Sequence, residues 1–77
     1  MITKKIRVYG IVQGVGFRPT VSRHAAAAGI TGSVCNKGPY VEIFAQGEEK
    51  CVKDFLEKLE NQPPKRAAIL KINTEDV

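Results

Sequence analysis

Six residues, Gln13-Gly14-Val15-Gly16-Phe17-Arg18, set two glycines and a guanidinium between an apolar run and Pro19. That combination is the chemistry of an anion cradle. Glycine lets the backbone turn tightly with its amides pointing inward, and amides at a helix N-terminus attract phosphate through unpaired N–H groups and the helix dipole. Arg18 adds a planar fork of donors matched to phosphate oxygens. Farther along, Asn36 carries an amide able to orient a water molecule. Phosphoryl transfer to water needs neutralised phosphoryl oxygens and an oriented nucleophile. A carboxylate or carbamate leaves without a strong general acid, and the phosphate itself can take up the proton. Such a site uses no metal, histidine or nucleophilic side chain.

The elements that must hold these residues are legible in the same rows. Lys5 to Val12 alternates and then turns continuously apolar, as a strand entering a core does. Pro19 suits the first helical position and biases Arg18 away from helical geometry, which predicts a helix beginning at Pro19, with Val21, Ala25 and Ala28 inward and Gly29 as its stop. Thr31–Asn36 and Tyr40–Ala45 read as a hairpin across the turn Lys37-Gly38-Pro39. Gly47 introduces a second helix with Glu48 and Glu49 in its first turn. There, Val52, Phe55, Leu56 and Leu59 form an apolar stripe, and Glu49–Lys53 and Asp54–Lys58 pair on the wet side. Pro63-Pro64 stops it, and Ala67 to Asn73 supplies a last strand. The order βαββαβ, with right-handed crossovers, predicts an α+β ferredoxin-like sandwich, a four-stranded antiparallel sheet with both helices on one face. Strands one and two then run parallel with strand three between them. Their C-terminal ends reach the same edge, where Arg18 and Asn36 are expected to meet.

At 77 residues the chain is one thin-cored domain, and its 43% hydrophobic and 26% charged content is ordinary for a globular protein. The opening Met1-Ile2-Thr3-Lys4-Lys5 lacks the apolar stretch of a signal peptide and no run spans a membrane, so a cytoplasmic location is expected. Cys35 and Cys51 are the only cysteines, which predicts reduced thiols without a disulfide or zinc motif. A formal net charge of +4 suits anionic ligands. The cations are dispersed, which fits a phosphate-sized ligand better than a nucleic acid or a lipid surface.

Other residues carry plainer expectations. His24 is a lone helix histidine at a boundary. Cys35 and Cys51 read as small packing residues, Arg23 and Lys37 as solvated surface charges, and Glu42 as a solvent-facing sheet residue. No third glycine completes a dinucleotide fingerprint and no Gly-Lys-Ser/Thr follows, which argues against Rossmann and Walker readings. Tyr9, Tyr40 and Phe44 are the only strand aromatics and no RNP-type motif is present, which argues against RNA on the sheet.

The segment Gly10-Ile11-Val12-Gln13-Gly14-Val15-Gly16-Phe17-Arg18 resembles the acylphosphatase signature. Gly32-Ser33-Val34-Cys35-Asn36 leading into Val41-Glu42-Ile43 is similar to that family's second motif, so the resemblance covers nearly the whole chain. It implies metal-independent hydrolysis of a carboxyl–phosphate bond without a cofactor, phosphate being held by the Gln13–Arg18 backbone and Arg18 while Asn36 positions water. With Pro19, and with Gln62-Pro63-Pro64 ahead of the last strand, the chain looks most like the acylphosphatase-like N-terminal domains of hydrogenase-maturation carbamoyltransferases. That likeness implies carbamoyl phosphate as substrate, and a fragment of a longer protein whose following domains and hydrogenase-maturation partners take up the product. The chain departs from the family pattern at Ser33, where many relatives carry tryptophan, and at Lys37-Gly38-Pro39-Tyr40, which replaces an acidic-glycine turn. A non-catalytic anion- or RNA-binding regulatory module of the same fold is the alternative.

Overall fold

Two periodicities organise this chain, and each places its apolar residues on one side of its element. The computed structural model describes residues 1–77 as β1 (Ile2–Ile11), α1 (Phe17–Ala28), β2 (Thr31–Asn36), β3 (Tyr40–Gly47), α2 (Glu49–Asn61) and β4 (Ala68–Asp76). The period-two pattern sends Ile6 and Val8 of β1 and Val41, Ile43 and Ala45 of β3 to a single sheet face. The helical pattern of α2 brings Val52, Phe55 and Leu59 down onto it, and α1 adds Phe17 and Val21. Fully burying side chains such as Phe55 and Leu59 stabilises the fold by about 1.5–3 kcal/mol each.

The sheet order is β2-β3-β1-β4, and every neighbouring pair is antiparallel. β1 and β2 therefore run parallel on either side of β3, as the ferredoxin-like reading requires. Tyr9 of β1 lies opposite Tyr40, and Asn36 of β2 lies opposite Val41. The loop leaving β1 and the residue ending β2 thus sit at one edge, separated by the width of β3.

Several boundaries differ from the sequence reading. The first and last strands in the chain, β1 and β4, reach farther than expected, because β1 keeps pairing with β3 back to Ile2 opposite Gly47, and with β4 at Lys4 opposite Asp76. Lys4 Nζ lies 2.6 Å from Asp76 there, and Val77 N–H donates to Thr3 O at 3.1 Å. Gly47 belongs to β3, and α2 is capped at Glu48 instead. The expected Glu49–Lys53 and Asp54–Lys58 ion pairs do not form within 4 Å, as is common for long solvated side chains. α1 begins two residues before Pro19, at Phe17, with Arg18 inside its first turn. Tertiary packing overrides the bias that proline imposes on its neighbour. Phe17, 2% exposed, is anchored in the core, and Pro19 still falls in the first turn, where a missing N–H costs nothing.

Candidate active site

The loop between β1 and α1 is built on left-handed glycines. Gly14 and Gly16 have φ of 68° and 75°, values that side-chain-bearing residues reach at a cost of about 1–2 kcal/mol. Gly16 is the N-cap of α1, and its carbonyl accepts from Thr20 N–H at 3.3 Å and from Thr20 Oγ1 at 3.0 Å. Arg23 Nη2 in turn donates to Thr20 Oγ1 at 3.1 Å, so Arg23 braces the first turn and is not merely a solvated charge. Thr20 is buried, and sequence reasoning missed it. Its spacing of four from the capping glycine was the available signal.

This construction spends the carbonyl of Gly16 and leaves amides free. None of the N–H groups of Gln13, Gly14, Val15 and Gly16 is a donor in the turn and loop hydrogen bonds, and Phe17 and Arg18 occupy the first two helical positions, which have no partner one turn back. The Phe17 side chain is core, so only its amide is available to a ligand. Val15 packs against the core from the loop. Arg18 is exposed and engaged in no ion pair, which leaves its donors open to an anion at the positive end of α1.

Asn36 ends the exposed edge strand β2. Its Oδ1 accepts from Gly38 N–H at 2.7 Å, which fixes the amide so that its NH2 end remains free to donate. Lys37 N–H donates to Tyr40 O at 2.9 Å and closes the turn. From the other side, Gln13 Nε2 donates to Gly38 O at 3.2 Å. The cradle loop and the Asn36 turn are therefore joined through one residue, Gly38. The sequence marked Gln13 for its backbone, and its side-chain bridge was not foreseen.

The neighbouring residues correct three plainer expectations. Glu42 lies on the open sheet face as expected, yet its carboxylate is covered rather than solvated: its side chain is 12% exposed and lies 3.9 Å from Lys5 Nζ, 3.7 Å from Arg7 Nε and 3.9 Å from Lys37 Nζ. Lys37 thus belongs to this ionic cluster beside the turn. Cys35 is exposed and not a packing residue, because it lies opposite Glu42 on the sheet face that carries no helix. Ser33, opposite Phe44, is exposed on that face as well. Cys51 does pack against the core, and His24 sits at a boundary, its Nε2 2.8 Å from Gln62 O. No three His, Cys, Asp or Glu side chains converge as a metal site would require. No helix is long and apolar enough to cross a membrane.

Comparison with known proteins gives a consistent picture. The acylphosphatase family model matches residues 4–77. The chain is 44% identical over 71 residues to carbamoyltransferase HypF2 of Cupriavidus necator, covering 92% of this chain and 9% of that protein. It is 41% identical over 73 residues to the acylphosphatase of Thermotoga petrophila, covering 94% of this chain and 80% of that enzyme. Among solved structures, full-length HypF in its phosphate- and nucleotide-bound form superposes with a TM-score of 0.96 at 36% identity, over 99% of this chain and 10% of that one. The chain spans about a tenth of the length of the carbamoyltransferases it matches, and most of the length of the acylphosphatase.

Proposed function

This chain belongs to the acylphosphatase family, and from that membership we propose that it hydrolyses acyl phosphates with phosphate seated on the Gln13–Arg18 loop. The observation that carries the reading is the N-terminus of α1, where unpartnered amides and the unpaired Arg18 guanidinium share one exposed turn. Amides of Gln13, Gly14, Val15, Gly16, Phe17 and Arg18 hold the phosphoryl oxygens, and Arg18 neutralises them. The free NH2 end of Asn36 orients water. As the new P–O bond forms, the bond to the carboxyl oxygen breaks, the electron pair leaves with the carboxylate, and the proton of the water passes to a phosphoryl oxygen. Positioning and charge stabilisation supply the catalysis.

For the substrate we favour carbamoyl phosphate, which yields carbamate and phosphate. The likeness to carbamoyltransferases of the HypF type supports it, with the chain acting as the domain that performs the first step of carbamoyl transfer in the maturation of nickel–iron hydrogenases. In that setting, domains of a longer protein and its maturation partners receive the carbamate, since an unstable product released to water would be lost. Phosphate release from carbamoyl phosphate, with acetyl phosphate in parallel, tests the proposal. Release above the spontaneous rate from both, faster from carbamoyl phosphate, supports it. Release from neither contradicts it.

A further inference from the structure

The bridge through Gly38 has a consequence for catalysis. Gly38 uses both of its backbone polar groups, its N–H on Asn36 Oδ1 and its carbonyl on Gln13 Nε2. Its φ of 97° suits glycine, and nothing lies within 4 Å of where a Cβ would stand, so the residue is demanded by backbone geometry and not by crowding. All of these contacts are exposed, and no core contact holds the Asn36 amide in place.

We infer that the Gln13 side chain is a positioning residue, which holds the Gly38 turn so that the Asn36 amide keeps a fixed spacing from the phosphate loop. The inference rests on the proposed function for its catalytic consequence, although the positional coupling stands on geometry alone. Gln13 contributes twice: its backbone belongs to the phosphate loop, and its side chain reaches away from that loop to the turn. An exposed hydrogen bond adds little to stability, yet a displacement of about 1 Å at a nucleophile-orienting group can cost on the order of a hundredfold in rate. Removing this single tether should therefore cost turnover and leave phosphate affinity nearly unchanged.

The test compares the intact chain with Gln13→Ala, Gln13→Glu, Gly38→Ala and the double variant. Inorganic phosphate binding is measured by titration, hydrolysis of carbamoyl phosphate as kcat and KM, and the Asn36 side-chain NH2 resonances by NMR. Gln13→Ala is expected to lower kcat about tenfold, the scale of one lost hydrogen bond, with phosphate affinity altered less than twofold and the Asn36 resonances shifted or broadened. Because Gln13→Glu is isosteric but cannot donate when ionised, it should lose at least as much turnover as alanine at neutral pH, its added negative charge also weakening phosphate binding. It should recover as the pH falls toward the ordinary Glu range of about 4.3, measured against the spontaneous rate. Gly38→Ala keeps both backbone groups but strains the turn at a φ of 97°, so it should shift the Asn36 resonances as well, and adding Gln13→Ala to it should cost little more, the tethered turn being already displaced. Unmoved Asn36 resonances in Gln13→Ala overturn the inference whatever the activity. So does a loss confined to phosphate affinity, which would make Gln13 a direct ligand. If the intact chain hydrolyses nothing, the proposed function fails, and the NMR comparison still decides the coupling.

Discussion

Arg18 and Asn36 divide the proposed chemistry between them, and the division can be tested one side chain at a time. Arg18 carries exposed donors at the positive end of a helix, with no carboxylate competing for them. Arg18→Ala is expected to weaken inorganic phosphate binding at least tenfold by titration calorimetry, because a charge-assisted contact is lost. Asn36→Ala is expected to leave that affinity within about twofold and to remove most turnover, on the order of a hundredfold in kcat, since the amide orients the nucleophile rather than the phosphate. Equal loss of phosphate affinity in both variants would contradict the division. The sequence singles out these two residues because a guanidinium after paired glycines and an asparagine closing a strand are chemical types at recognisable places. It does not single out the side-chain roles of Gln13, Thr20 and Arg23. Each depends on a hydrogen bond to a carbonyl or hydroxyl whose direction only the folded backbone fixes.

At the scale of elements, α1 ties the cradle to the core. Phe17 is both its first residue and a buried one, so the amides offered to an anion and the ring filling the interior belong to the same turn. Phe17→Ala should lower stability by about 3–5 kcal/mol in urea unfolding. Phe17→Leu, a milder change, should stay folded with phosphate affinity reduced severalfold, because the loop loses its anchor; affinity unchanged in folded Phe17→Leu would show that the loop is held by other contacts. Helix and strand order was readable from periodicity, whereas the first residue of α1 was not. The local preference set by Pro19 predicted a later start, and the gain from burying Phe17 outweighed it. Glu42 and Cys35 were misread for a related reason. Strand alternation tells which residues share a face, but three cations converging on Glu42, and a Cys35 face that no helix covers, follow from the sheet order.

For the whole molecule, the βαββαβ order carried the architecture: one sheet, two helices on one face, and parallel β1 and β2 delivering the Gln13–Arg18 loop and Asn36 to one edge. That much was legible because topology rules leave few ways to connect these elements. The net charge of +4 suggests a ligand field that salt weakens, so phosphate affinity should fall severalfold between about 10 mM and 150 mM salt, as the screening length shrinks from about 30 Å to about 8 Å. An affinity indifferent to salt would mean that short contacts alone hold the anion. Hydrolysis is expected to persist in chelator, since the proposed steps use backbone amides, Arg18 and Asn36, and a dependence on added magnesium would contradict them. The most direct measurement of the central claim is phosphate release from carbamoyl phosphate by the intact chain, Arg18→Ala and Asn36→Ala, each first shown to be folded by circular dichroism. The account predicts release well above the spontaneous rate in the intact chain and near that rate in both variants. Release by the intact chain that both folded variants retain would place the chemistry elsewhere and contradict it.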